Sequence, residues 1–511
     1  MNIKIKRRES RFNSSPFLLL SVIACTGWLS CERDLANLNG NTSIDKMVIS
    51  AEKNDGLEED LILEIRDDSI VGHLPLDVNL KNLIVDFEVE KKAELFIKNK
   101  QQNSGKTAVD FSKPFQYKVV AQNNDQKIYH VTVTYFTSLP IMYLNTNDNT
   151  PVVSRDEYKD ATVRMYGGLQ FSDLEQQDVR IRGRGNSTWS FPKKPYQIRF
   201  EDKTSVLDQP EDRRWILLTN YSDKTMLRNT LAFQLGQMSD LVWTPNDEPI
   251  ELFLNNEYVG TYLLTQKVEV TKNRLSLSDD GFLLEADQPG RLDEDDVYVE
   301  TDRLLFNVKE PNIEFDDRDY DYIQNYLQEV ETAIYGTNFK DANNGYAKYL
   351  DVESFVDWYL IHEITKNVDS RFYTSVFLHH ERGGKLKMGP IWDFDLAFGN
   401  VDYADSRYVE GFWIKDSPWM ERLFEDPAFV EKVKERYQYY YKNKANLVSY
   451  LYAQAKQLNL AQQANDDRWQ TIGIYVWPNP VVLESYKDEV DFVADWLEER
   501  MDWLAVALNE L

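Results

Sequence analysis

The hydrophobic period changes along this chain, and that change limits its architecture more than any other feature. Val131, Val133 and Tyr135 alternate with His130, Thr132 and Thr134, a period of two that predicts a half-buried strand. Near the other end, Val493, Trp496, Leu497, Met501, Leu504, Ala505 and Leu508 fall on one helical stripe, and its tryptophan is expected in a core. One uniform architecture does not serve both patterns. The chain is therefore expected to be multidomain, with an all-β N-terminal sandwich followed by an α+β domain that ends in a helical part. Its 511 residues would fill about three domains.

Composition removes several function classes. Acidic residues outnumber basic ones 85 to 58, for a net charge of −27. Nucleic acid and anionic membrane both require clustered positive charge, so neither is an expected partner. The only two cysteines, Cys25 and Cys31, exclude a disulfide scaffold or a cysteine metal cluster. None of the five histidines sits in an H-E-x-x-H motif, and His379-His380 is expected as a surface pair pointing to opposite faces.

The first thirty residues resemble an address. Lys4, Lys6, Arg7 and Arg8 precede a short apolar run, Phe17–Ala24. That run is shorter than the roughly 20 residues of a spanning helix, and the pattern predicts a secretory signal. Val22-Ile23-Ala24-Cys25 resembles a lipobox. Cys31, which ends the apolar stretch and is followed by Glu32 and Asp34, resembles the lipidated cysteine of Bacteroidetes-type surface lipoproteins. Cys31 is the expected lipidation site, with Cys25 the alternative. The expected location is the cell envelope, lipid-anchored to the outer membrane, with no other membrane contact. Residues 31–43 are expected as a polar tether.

Residues 44–138 form the sandwich, with strand signals at 83–89 and 130–135 and turn signals at Asn54-Asp55-Gly56 and Asn123-Asn124-Asp125. This part resembles immunoglobulin-like modules. Residues 139–410 mix strands and helices, and 411–511 are mainly helical. Hairpins are expected over 179–200 and 250–264, and helices over 225–235 and 352–366.

One constellation carries chemistry. Asp369 precedes a predicted hairpin spanning 372–392, and Trp392-Asp393-Phe394-Asp395 follows it. The two ends of a hairpin meet at its open side, so Asp369 and Asp393 should be neighbours. An acid, a hairpin and then an acid on a hard cation is the order used for phosphoryl transfer, where positioning and charge neutralisation dominate. Gly183 and Gly185 would let backbone amides approach phosphate oxygens, or simply make a tight turn. Lys194, Arg182 and Arg184 are candidate phosphate partners. There is no P-loop and no G-x-S-x-G.

Several ordered blocks carry a resemblance: Arg182-Gly183-Arg184-Gly185-Asn186-Ser187-Thr188-Trp189 with Lys193-Lys194-Pro195-Tyr196; Asn220-Tyr221-Ser222-Asp223-Lys224; Glu251–Asn255 with Gly260–Leu264; and Trp392-Asp393-Phe394-Asp395 with Gly399. Together they resemble the spore coat protein H (CotH) kinase family. The resemblance implies an atypical, secretory-type protein-kinase-like fold that uses ATP and Mg²⁺ or Mn²⁺ to phosphorylate Ser of an extracytoplasmic protein. It implies Asp369 as catalytic, Asp393 as metal-binding with Asp395 beside it, and Lys194 as the nucleotide lysine rather than Lys193. Two departures stand out. Gln266 replaces the acid of the usual Lys–Glu pair, leaving Glu285 or Glu269 to substitute. Thr374-Ser375 stands near the position of a second metal-binding Asn. Alternatives are a non-catalytic adhesion or assembly lipoprotein on the same fold, and a glycan-associated protein or other transferase.

Overall fold

The computed structural model describes residues 38–511, apart from 58, 59, 75–77, 136, 169 and 256. The expected signal segment, Cys25, Cys31 and the start of the expected tether lie outside these residues. Among the described residues no helix is long and apolar enough to cross a membrane.

Two sheets make the N-terminal module. The first has strand order Leu61–Ile62, Ile44–Ile49, Leu83–Val89, Ala108–Val109; the second runs Glu64–Arg66, Ser69–Leu74, Gln126–Tyr135, Phe115–Val120, Glu94–Ile97, Lys100–Gln101. Met47, Ile49 and Val85 of the first sheet share a core with Ile70, Tyr117, Val119, Tyr129 and Val131 of the second. Alternation decides which side chains enter that core. One departure from a purely antiparallel sandwich is the parallel pairing of Ser69–Leu74 with Gln126–Tyr135, with Val131 opposite Ile70. Such a pair joins strands distant in sequence and leaves no local turn signal. The module packs onto the next unit through Val71 against Ile141, Tyr143 and Phe253. The Tyr166 hydroxyl also donates to Glu64 at 2.6 Å.

Seven strands then close a barrel: Ile141–Thr146, Lys159–Tyr166, Leu174–Gly183, Tyr196–Thr204, Asp212–Leu218, Glu257–Gln266 and Asp247–Leu254. Both expected hairpins are present, with Val179 opposite Phe200 and Ile250 opposite Tyr262. Closure comes from the parallel pairing of the first strand with Asp247–Leu254. Val163, Ile181, Ile198, Trp215, Ile250 and Leu264 fill the interior.

The rest is one continuous core. A five-stranded antiparallel sheet has the order Tyr298–Glu300, Leu305–Glu310, Phe282–Asp287, Val376–His380, Leu386–Met388. Around it pack the helices Arg228–Gln237, Arg318–Tyr335, Val352–Thr365, Pro427–Lys442, Lys444–Gln457, Asn459–Trp469 and Tyr486–Asn509. Trp496 and Leu497 of the predicted stripe enter this core. The helix Arg228–Gln237 is buried on most sides rather than on one face, because both the barrel-side residue Ile216 and the second lobe cover it. His379 and His380 are also buried, against the expectation of a surface pair. Their strand is internal to the sheet and every residue of it is covered. Their side chains do diverge: His379 Nδ1 meets the Gly389 carbonyl oxygen and His380 Nε2 meets the Tyr322 hydroxyl.

A buried ion pair joins the tail to this core. Arg500 and Glu363 are both fully buried and 2.7 Å apart. Glu363 also accepts from the backbone N–H groups of Trp413, Ile414 and Lys415. Pairing plus hydrogen bonding is what makes a buried charge tolerable.

Candidate active site

The acidic wall begins where the helix Val352–Thr365 stops. Lys366 takes a left-handed conformation (φ 43°) and its ammonium donates to the carbonyls of Asp405, Tyr408 and Glu410. The chain therefore turns, and Asn367 acts as a clamp. Its Oδ1 accepts from the Asp369 N–H at 3.3 Å, and its Nδ2 donates to the Asp393 carbonyl at 2.8 Å. The hairpin between them is present, with Leu378 opposite Met388 and His380 opposite Leu386. Asp393 has φ 67°, a conformation that Asp tolerates better than most residues. Asn229 accepts from the Phe394 N–H at 2.8 Å, and Asn400 donates to the Asp395 carbonyl at 2.8 Å.

Three asparagines thus hold the backbone around the acids while the carboxylates face a cleft of about 780 Å³. That volume suits a small-molecule ligand of nucleotide size. Asp369, Asp393 and Asp395 all line it. No Lys or Arg among the described residues lies within 4 Å of these carboxylates; the Ser375 hydroxyl donates to Asp393 at 3.4 Å. Burial, then the charge of Asp393, pushes Asp369 up to about 6, while Arg291 opposes. Burial raises Asp393, moderated first by Arg184. Burial, then Asp393 and Asp369, raises Asp395 well above the usual carboxylate range. Crowded, desolvated carboxylates of this kind bind protons or cations more readily than free ones.

The facing wall comes from the barrel. Arg182, Gly183, Arg184 and Gly185 line the cleft. A Cβ on Gly183 would lie 2.4 Å from the Trp189 ring, so glycine is required for that ring to cover the turn. Gly185 has φ 79°. The Gly183 and Arg184 amides donate within the fold, to the carbonyls of Ser154 and Pro195, so these two amides do not serve a phosphate. Arg184 stacks 5.4 Å from the Trp392 ring centroid, and its charge acts on Asp393, Asp395 and Glu285.

Lys194 is the candidate that the fold does not bring to the cleft. Its ammonium donates to the Trp189 carbonyl at 2.7 Å, and it is absent from the lining. The Ser187–Ser190 turn folds back on the strand entrance and captures it locally. Lys193 is buried elsewhere, donating to the Thr219 and Thr261 carbonyls and to Asn465. The lysines that do line the cleft are Lys267 and Lys309. Burial and then Arg214 push Lys267 down to about 8. Lys309 lies 3.8 Å from Glu285 and 3.9 Å from Asp296. A signal for Lys267 existed: it follows the buried Gln266, and period-two alternation turns it to the other side of the strand.

The two departures also resolve. Gln266 is structural, its Oε1 accepting from the Asn246 N–H at 3.0 Å. Glu269 is held by Arg214 and Arg274, which leaves Glu285 with Lys309 as the cleft's acid–base pair. Ser375 supplies the hydroxyl beside Asp393. The Asn220–Lys224 block supports the site from behind. Asp223 pairs with Arg228 at 2.6 Å, and Arg228 donates to the Ala397 carbonyl just past Asp395.

No group of three His, Cys, Asp or Glu side chains able to hold a metal occurs among the described residues. Asp393 and Asp395 offer hard oxygens for part of a coordination shell. That suits a Mg²⁺-type ion, which is usually held by one or two carboxylates plus phosphate oxygens and water.

Comparison with known proteins follows this division. The profile of SGBP, N-terminal, matches residues 56–133. Among solved structures, a chain from Bacteroides fragilis described as a candidate secreted protein is 18% identical, covers 19% of this chain and 96% of its own, and has a TM-score of 0.15. A chain from Bacteroides thetaiotaomicron described as a candidate glycoside hydrolase is 12% identical, covers 57% of this chain and 87% of its own, and has a TM-score of 0.19. No curated protein matches. The profile of the CotH kinase protein family matches residues 180–504, from the basic turn through both acids to the last helix, and the chain belongs to that family.

Proposed function

We propose that this protein is an atypical secretory-type protein kinase that transfers the γ-phosphoryl group of ATP to Ser of an extracytoplasmic protein. One observation carries the reading: three half-buried carboxylates outside any ion pair, from both ends of a hairpin, face Arg182, Arg184, Lys267 and Lys309 across a single cleft. Phosphates would lie against the cations, which have the charge and donors for them. Lys267 replaces Lys194 as the lysine directed at phosphate. Asp369 would orient the acceptor hydroxyl and take its proton, a role suited by its raised affinity for protons. A divalent cation held by Asp393 and Asp395 would neutralise charge on the phosphate oxygens. Arg184 favours the anionic form of Asp393 against the effect of burial, and the asparagine clamps hold the backbone that carries the acids.

The rest of the reading rests on the ends of the chain. The N-terminal module is proposed as an immunoglobulin-like spacer, and the catalytic unit as a kinase-like fold. Cys31, or else Cys25, is the proposed lipid anchor in the outer membrane.

The test is binding of ATP with Mg²⁺ or Mn²⁺ by the full-length chain, beside Asp393→Ala, with labelled phosphate transfer to itself and to a generic acceptor. Metal-dependent binding and transfer, both lost in the variant, are expected. A folded wild type that binds no nucleotide would overturn the reading in favour of an adhesion or assembly role.

A further inference from the structure

We propose that Arg291 is a further catalytic residue, delivered from the rim of the cleft to the phosphoryl group in flight; the assignment rests on the kinase reading above. Arg291 ends the short turn Pro289–Arg291, just after the strand Phe282–Asp287 whose Glu285 and Asp287 line the same cleft. It is exposed, and no carboxylate among the described residues lies within 4 Å of its guanidinium, although Asp293 and Asp296 stand on the same rim. Asp296 is engaged elsewhere: it reaches Lys309 and accepts from the Asp293 N–H.

Of the arginines lining the cleft, Arg182, Arg184 and Arg291 make no ion pair among the described residues, unlike arginines set deeper or elsewhere in the fold. Arg214, Arg228, Arg274, Arg436 and Arg500 each sit in an ion pair. Arg291 instead lies 5.5 Å from the centroid of the exposed Tyr373 ring, a contact that leaves the N–H fork free for a ligand. Its charge acts on Asp369 and Asp393, and on the Tyr403 hydroxyl. Arg184 acts on the same loop from the buried side. The acids are thus flanked by two arginines outside any ion pair, Arg184 half-buried against Trp392 and Arg291 exposed at the rim.

The step balances without another reactant. The acceptor oxygen forms a bond to the γ-phosphorus as the bond to the β,γ-bridging oxygen breaks. The electron pair of that bond leaves with ADP, and the acceptor proton passes to Asp369. Negative charge is carried on the equatorial phosphoryl oxygens, where a forked, permanently charged donor is most effective.

The experiment measures affinity for Mg²⁺–ADP with and without aluminium fluoride, a mimic of the phosphoryl in flight, for the full-length wild type, Arg291→Ala and Arg291→Lys. The wild type should bind the mimic at least about 100-fold more tightly than ADP alone. Arg291→Ala should lose most of that advantage while its ADP affinity stays within about threefold, and its turnover should fall by about 10³. Added guanidinium should restore part of that turnover, and Arg291→Lys should recover less, because a point charge cannot replace the fork. A variant that keeps the full advantage overturns the role of Arg291 and leaves the kinase reading intact. Equal losses for ADP and for the mimic make Arg291 a ground-state binder and also overturn it. A wild type that gains nothing from fluoride sinks the kinase reading, and this assignment with it.

Discussion

On the barrel wall of the cleft, Arg182 and Arg184 ride out of a strand pair whose register runs from Val179–Phe200 to Gly183–Tyr196. On the facing wall, Asp369, Asp393 and Asp395 sit on irregular backbone pinned by Asn367, Asn229 and Asn400. The first wall is placed by a ladder of local hydrogen bonds. The second is placed by side chains from distant parts of the chain, while the carboxylates themselves stay unpaired. A cation can be carried on regular structure because its long side chain reaches the ligand. Three desolvated carboxylates repel one another, so their backbone must be held from outside.

This contrast yields predictions of decreasing size. Asp393→Ala should remove phosphoryl transfer by at least about 10³-fold, whereas Arg182→Ala should weaken nucleotide binding with a smaller loss of turnover. Equal effects in a steady-state comparison would erase the division of labour between the walls. Glu363→Ala leaves Arg500 buried and unpaired beneath the acidic wall, and it should cost about 3–5 kcal/mol of stability, read from denaturant unfolding. Asn367→Ala frees the Asp393 carbonyl and the Asp369 amide. A destabilisation of about 1–3 kcal/mol together with reduced turnover is expected, and turnover at the wild-type rate would show that the clamp does not position the acids.

On the basic wall, Lys267→Ala should raise the ATP dissociation constant about tenfold, while Lys194→Ala should leave it nearly unchanged. The reverse order would restore Lys194 as the nucleotide lysine. The smallest effect concerns His362, which stacks between Trp358 and Phe394 with neither ring nitrogen hydrogen-bonded. Burial pushes it down to about 3 from an ordinary value of 6.5. Below that ordinary value the unfolded chain binds a proton that the folded chain refuses, so His362 subtracts stability as pH falls from 6.5. His362→Phe should therefore gain on the wild type by about 1 kcal/mol for each pH unit below 6.5, in paired thermal melts. A pH-independent difference between the two proteins would contradict it.

Legibility from sequence followed the range of the interactions. The strand at 83–89, the hairpins and the helix at 352–365 were readable because period and turn chemistry act over a few residues. The meeting of Asp369 with Asp393 was readable because an antiparallel hairpin converts a separation in sequence into proximity at its open end. The position of Lys194 away from the cleft lining was not readable, because adjacency to the Arg182–Trp189 block says nothing about which way a side chain folds once Trp189 caps the turn. His379-His380 misled because the strand's coverage comes from helices and strands far along the chain.

By itself, the sequence determined which segments become strands and helices, the acid–hairpin–acid order, and the lack of a cysteine cluster or a P-loop motif. Local dihedral preferences, hydrophobic period and residue inventory suffice for these. Tertiary structure alone decided the barrel's closure, the placing of Lys267 rather than Lys194 in the cleft lining, and the asparagine clamps. It also set Arg291 unpaired at the rim. Each of these depends on contacts between residues tens to hundreds of positions apart, whose free energy exists only once both partners are packed against the same core.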